Sequence, residues 1–281
     1  MVGGSTRLRR VFMLYLPLLL FAVFLLFPFY WMLVVSLRPN ADLFNTKMNP
    51  FFPWNATLDN YGYLFTNTAF LQWTINTTIV TFAATFLSLF CSILIGYSLG
   101  RLRFPGANFM GIAIFLAYLV PPTLLFLPLA QVINSFHLYN TYWALILTYP
   151  TFLIPFGGWI LMGYFRTIPH ELEECAMIDG ASRLRAMVSI VLPLAIPGIL
   201  SAGIFSFTLS WNEFLYALIF MGSGAMKTIP VGTVSDLIKA DVYQWGSLMA
   251  AGLLGSVPVA VIYSFFVENY VSGLTAGAVK G

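Results

Sequence analysis

The sequence predicts an all-α membrane protein of six transmembrane helices with both termini on the cytoplasmic side. Three observations carry the prediction. Only 8% of the 281 residues are charged and 59% belong to the set AVILMFWYC, so the charged fraction is about a third of what an ordinary soluble domain uses to cover its surface. Uncharged stretches recur at or above the length of about 20 residues that one helix needs to cross the hydrocarbon core. When the connections are assigned alternately to the two sides, nine Lys and Arg fall on one side and four on the other, the bias that places the richer loops inside. Apart from Arg7, Arg9 and Arg10 the cations are scattered, which excludes a nucleic-acid surface.

Taken in order, residues 1–10 form a basic cytoplasmic N-terminus, and 11–37 hold the first span. That apolar run is too long for a secretory signal and no small-residue cleavage site follows, so nothing is removed. No charge lies between Asp59 and Arg101, and the apolar part, about 77–99, is the second span. From Phe104 to Phe165 there is again no Asp, Glu, Lys or Arg. One crossing cannot use that length, so it holds two, about 107–133 and 142–165, with Asn134, Ser135, His137, Asn140 and Thr141 as the hairpin. Pro121-Pro122 removes two backbone donors inside the third span, which predicts either a packing kink or carbonyls free to line a cavity. The fifth span, about 194–221, contains only Glu213, and the sixth is about 246–268, leaving 272–281 as a cytoplasmic tail. The inner cations are then Arg7, Arg9, Arg10, Arg101, Arg103, Arg166, Arg183, Arg185 and Lys280, and the outer ones Arg38, Lys47, Lys227 and Lys239. Trp54, Tyr61, Tyr63, Trp73, Tyr139, Tyr142 and Trp143 gather near the outer ends as an interfacial belt. Asn76 and Asn134 fall at span ends.

One long cytoplasmic loop, 166–193, holds Glu171, Glu173, Glu174 and Asp179, four of the ten acidic residues. Pro169 is placed to open a helix whose positive N-terminal end favours the carboxylates. Gly180 stops it, and Ser182 caps a second short helix. Leu184, Met187, Val188 and Val191 then share one apolar face before Pro193 ends the run. Helices that lie on lipid headgroups favour Lys and Arg, and the first of these is acidic, so a protein partner is the better fit.

The spacing Glu174, Ala176, Gly180, Ile190, Leu192, Pro193 matches the pattern E-A-A-x3-G-x9-I-x-L-P, with Cys175 in place of the usual second-position Ala. With LDNYGYLF from Leu58, WNEFLYAL from Trp211 and the ending GLTAGAVKG, the chain resembles the permease subunit of carbohydrate ABC importers of the maltose-permease type. The resemblance implies a type I ABC importer transmembrane domain over 11–271, with 166–193 as the loop that couples it to ATP hydrolysis. It implies two cytoplasmic copies of an ABC ATPase, a second permease in a heterodimer, and an extracellular sugar-binding protein, in a bacterial or archaeal cell membrane. Glu174, Cys175, Ala176, Asp179, Gly180 and Ala181 would meet the ATPase. The solute implied is a sugar or oligosaccharide, with glycerol phosphate or a polyol as the runner-up. There is no G-x4-G-K-[ST] in the chain, so it has no nucleotide-phosphate cradle. It is expected to be non-catalytic and to bind no cofactor, with ATP and Mg used by the partner ATPase.

Glu213 is the only carboxylate inside a span before the sixth span's final turn, where mid-depth burial costs about 2.5–3.5 kcal/mol and function is the default reading. At ~25 Å from the inner end of its helix it can also be wetted from outside, and both readings stay open. Trp211, Asn212 and Glu213 follow one another at about 100° per residue, so they cannot share one face. Asn212 and Glu213 are the better candidates for the solute pathway, with Trp211 packing against the other permease. In the outer loop, about 222–245, Lys227 and Thr228 are candidate contacts for the binding protein, alongside Asp236, Lys239 and Asp241. His137 and His170 fall on opposite sides of the membrane, so no metal site is expected. Cys91 and Cys175 are too few for a disulfide framework, and the glycosylation matches at Asn55 and Asn76 carry no weight in such a protein. Two other classes compete. An ion-coupled secondary transporter would show internal repeats and buried carboxylates, and a membrane-embedded enzyme would show clustered His, Asp or Glu.

Overall fold

The computed structural model describes residues 10–43, 45, 47–102, 104–239 and 242–275. Arg7, Arg9, Arg103, Asp241, Lys280 and the tail from 276 onward lie outside the described residues. Most of the described chain is helical. The helices are α1 (Leu16–Ser36), α2 (Asp59–Asn67), α3 (Phe70–Arg101), α4 (Ala107–Tyr118), α5 (Pro122–Ser135) and α6 (Tyr142–Thr167). They continue as α7 (His170–Ile178), α8 (Arg183–Leu194), α9 (Ile196–Trp211), α10 (Leu215–Phe220), α11 (Ile229–Leu237) and α12 (Trp245–Thr275). The exception to the all-α expectation is a small antiparallel ribbon, β1 (Ile238–Lys239) on β2 (Val242–Tyr243), in register Ile238↔Tyr243.

Four described helical stretches are each long and apolar enough to cross a membrane: Phe12–Ser36, Phe70–Arg101, Tyr142–Thr167 and Trp245–Phe266. Two helix pairs reach that length together but are bent. The first is α4 with α5, at 94°, and the second α8 with α9, at 76°. The first bend falls at Pro121-Pro122, where the sequence predicts a kink or free carbonyls. Pro121 and Pro122 cannot donate, so the helix stops, and Pro122 reopens it at the position where a missing N–H costs nothing. The second bend falls at Ala195, between Pro193 and Pro197. Within the expected fifth span the helix is interrupted near its outer end: α9 stops at Trp211 and the chain restarts as α10 at Leu215.

The chain divides into two compact units. One comprises 1–70 with 233–256. In it, α1 exposes most of its apolar side chains, as a helix facing lipid or another subunit does. Its C-terminal carbonyls, which have no partner within the helix, are met by the buried Asn60 of α2, whose amide donates to Ser36 O at 2.9 Å and Arg38 O at 2.7 Å. A Cβ on Gly246 would lie 2.3 Å from the Asn60 amide nitrogen, so only glycine lets the start of α12 pack there.

The other unit comprises 71–232 with 257–281. Its centre is the close approach of α3 to α6. A Cβ on Gly96 would stand 2.8 Å from Leu161 Cβ and 2.9 Å from the Met162 nitrogen, and one on Gly157 would stand 2.6 Å from Ser92 Oγ. Ser92, Gly96 and Gly100 recur every fourth residue, the small-residue spacing that brings membrane helices into backbone contact. Two apolar clusters flank this seam. One gathers Val80, Tyr149, Leu153, Tyr216 and Phe220, and the other Tyr97, Leu161, Phe165, Met187, Val191 and Ala202.

Candidate functional site

The acidic loop folds as the sequence suggests, as two short helices around Gly180. Pro169 sits at the N-cap of α7. At its end Gly180 takes φ +88°, its N–H reaches Met177 O at 3.1 Å, and the Ala181 N–H reaches Ala176 O at 3.0 Å. These are the paired bonds of a Schellman turn, which needs a left-handed residue and therefore favours glycine. Ser182 caps α8 by accepting from the Arg185 N–H at 3.3 Å.

The predicted apolar face of the second helix does not hold together. The backbone passes through a π turn at Met187–Val191, which shifts the register, so Met187 and Val191 enter the core while Leu184 and Val188 stay exposed. On the first helix Glu171, Leu172, Glu174, Cys175, Ile178 and Asp179 face outward, and Ile178 is 84% exposed. Of the expected contact residues, Glu174, Cys175, Asp179 and Gly180 are exposed, and Ala176 and Ala181 are half-buried. The first helix of the knob thus presents an acidic surface, the second opens with exposed Arg183 and Arg185, and two large apolar side chains, Ile178 and Leu184, stand on either side of the turn.

Sequence reasoning missed Glu173. It is buried and pairs with Arg101 at the end of α3, Nη2 to Oε2 at 3.0 Å and Nε to Oε2 at 3.1 Å. Tyr97, one turn earlier on α3, donates its hydroxyl to the other carboxylate oxygen. The available signal was Tyr97 and Arg101 at i and i+4, which lie on one helix face.

At the opposite end of the unit the three pathway candidates diverge. Trp211 is buried and stacked on Phe207 with ring centroids 5.5 Å apart. Asn212 is exposed and its amide donates to Thr208 O at 2.9 Å. Glu213 accepts the N–H of Tyr216 on Oε1 at 2.8 Å and that of Ala217 on Oε2 at 3.0 Å. Both carboxylate oxygens therefore serve the first turn of α10, whose N–H groups are otherwise unmet.

The loop that follows is held from beneath. Asn76, fully buried on α3, donates to Ala225 O and Lys227 O, both at 2.8 Å, and accepts from Gln72 and Tyr142, also at 2.8 Å. Trp73 Nε1 donates to Gly224 O at 3.0 Å, and Thr77 Oγ1 accepts the Ile229 N–H at 2.8 Å. Trp73 is thus a core residue rather than part of an interfacial belt. Thr228 is buried as well, so it cannot meet a partner's surface, whereas Gly222 to Ala225 are exposed and Lys227 is half-buried. Among the described residues no three His, Cys, Asp or Glu gather as a metal site, and both cysteines are free.

Residues 92–275 match the family described as binding-protein-dependent transport system inner membrane component. The chain is 37% identical over 257 residues to the sulfoquinovosyl glycerol transport system permease protein SmoH of Agrobacterium fabrum, covering 91% of this chain and 89% of the relative. It is 33% identical over 276 residues to the trehalose/maltose transport system permease protein MalG of Thermococcus litoralis, covering 98% of each. Its fold is similar, with a TM-score of 0.77 at 20% identity, to a chain in the crystal structure of a bacterial ABC transporter involved in the import of the acidic polysaccharide alginate, covering 95% of this chain and 99% of that one.

Proposed function

We propose that this chain, which belongs to the family of binding-protein-dependent transport system inner membrane components, is the permease subunit of an ATP-driven importer of a sugar or oligosaccharide. The observation that carries the reading is its near end-to-end relationship to two carbohydrate permeases. In this reading the chain crosses the cell membrane of a bacterium or archaeon six times, with α4–α5 and α8–α9 each forming one broken span and both termini inside. It works beside a second permease, above two copies of an ATPase that uses ATP and Mg, and under an extracellular sugar-binding protein.

The knob is the part that meets the ATPase. Its exposed Glu174 and Asp179 supply charge, Ile178 and Leu184 supply apolar contact, and the Gly180 turn fixes their arrangement. The exposed Gly222–Ala225 segment, with Lys227 behind it, meets the binding protein. Between them the role at 211–213 divides: Asn212 faces the solute route, and Glu213 holds the helix break that presents it.

The test is purification of the tagged chain from its native membrane, followed by reconstitution with the matching binding protein and a panel of labelled oligosaccharides. An ATPase and a second permease should co-purify, and uptake should require ATP and the loaded binding protein. Uptake that follows an ion gradient without ATP would refute the reading.

A further inference from the structure

Glu173 is the only buried residue of the nine in α7. The apolar attachment of this helix is thin: Ala176 and Met177 are only half-buried, beside Met187–Val191, where amphipathic helices ordinarily bury a whole face. Its one buried anchor is a carboxylate. The guanidinium that receives this carboxylate is fully buried, and its remaining N–H groups donate to the carbonyls of Phe165 at 3.4 Å, Ile168 at 2.5 Å and Pro169 at 3.2 Å. Those carbonyls belong to the last turn of α6 and the linker into α7. One side chain thus joins the end of α3, the end of α6 and the first turn of α7, while Tyr97 fixes the second carboxylate oxygen. The second half of the knob is held differently, by Ala186, Met187 and Val191 in the apolar core. Between the two halves lies Gly180, with nothing within 4 Å of the place where its Cβ would be.

We infer that Arg101, Glu173 and Tyr97 form a clamp that makes α7 move as one body with the ends of α3 and α6, and that Glu173 is a positioning residue for coupling. The adjacent glutamates then divide the work: Glu174 offers its charge to the ATPase, and Glu173 makes the resulting push reach the membrane helices. Without the clamp α7 pivots about Gly180 while α8 stays seated, so ATP is hydrolysed with little solute moved. A buried ion pair contributes little net stability compared with apolar packing, but it holds one geometry, and geometry is what coupling needs. The inference rests on the proposed role of the knob, and its test separates the two.

The experiment uses the full complex in proteoliposomes, with Cys91→Ser and Cys175→Ala removing the native thiols. Spin labels at Asn108→Cys on α4 and Leu172→Cys on α7, an exposed position outside the proposed ATPase contact, report the distance between the knob and a membrane helix. Glu173→Gln should broaden that distance distribution, leave the complex assembled and lower the solute moved per ATP several-fold. Tyr97→Phe, which keeps the ion pair, should shift both readouts the same way to a smaller extent, and it carries the test alone if Glu173→Gln fails to assemble. A narrow distribution with wild-type stoichiometry in the variants would overturn the clamp. If instead the unsubstituted complex moves solute without ATP, the coupling role falls, and the distance measurement still decides whether the clamp holds α7.

Discussion

At the scale of single residues, position 180 and position 213 make opposite demands on their side chains. Gly180 needs no space, because nothing lies near its missing Cβ, but it needs φ +88°. Gly180→Val therefore costs about 1–2 kcal/mol through backbone strain alone, while Gly180→Asn, which tolerates the left-handed region, costs less. The expected outcome is that Val lowers binding-protein-stimulated ATPase and transport with normal membrane levels, and Asn restores most of both; equal loss in the two variants would place the fault in contact rather than conformation. Glu213 needs its two oxygens, because each accepts a backbone N–H of α10. Glu213→Gln keeps one acceptor and Glu213→Ala keeps none, so thermal stability in detergent should fall in the order wild type, Gln, Ala, with Ala losing about 0.5–2 kcal/mol as other cap deletions do. Asn212→Ala should leave that stability unchanged and raise the solute KM for uptake. If Glu213→Gln abolishes uptake at full stability, the carboxylate serves the solute directly.

At the scale of elements, the outer loop illustrates how a buried side chain sets an exposed surface. Asn76 gives both its N–H groups to loop carbonyls and is itself inaccessible. Asn76→Ala strands those carbonyls and the Gln72 and Tyr142 donors, at about 1–3 kcal/mol for each group left unpaired. The loop should then be cut faster by limited proteolysis near Ala225, and the response of the ATPase to the binding protein should fall; an unchanged cleavage rate would mean that Trp73 and Thr77 hold the loop without it. The elements differed in how readily they could be read from sequence. The long helices were plain, because an apolar run of spanning length leaves the backbone few alternatives. The break at Pro121-Pro122 was legible as two missing donors, but its 94° bend depends on packing that no local pattern states. The stop at Trp211 was not legible at all, since it is stabilised by a carboxylate reaching forward to N–H groups three and four residues on. In the knob, motif spacing pointed to Glu174, and the burial of Glu173 emerged only when Arg101, some 70 positions earlier in the sequence, was brought beside it. The π turn likewise defeated the i, i+3, i+4, i+7 face, because that pattern assumes an unbroken α register.

At the scale of the whole molecule, the placement of cations decides which end of the chain faces the ATPase, and two native features make this measurable. Cys175 is exposed on the knob and Cys91 is only partly accessible within α3, so one thiol dominates labelling by a membrane-impermeant maleimide. With the richer set of Lys and Arg inside, Cys175 should react in inverted vesicles and stay silent in intact cells. A cysteine placed at the exposed Asn55 on a Cys175→Ala background should do the reverse. The same thiol also reports the partner. If the ATPase docks on the surface carrying Glu174, Cys175 and Asp179, as proposed, labelling of Cys175 in inverted vesicles should slow when the complex is complete and recover when the ATPase is stripped with urea. Unchanged labelling after stripping would mean that the acidic surface is not where the ATPase sits. Labelling of Cys175 from the outside of intact cells would invert the orientation and with it the assignment of every loop.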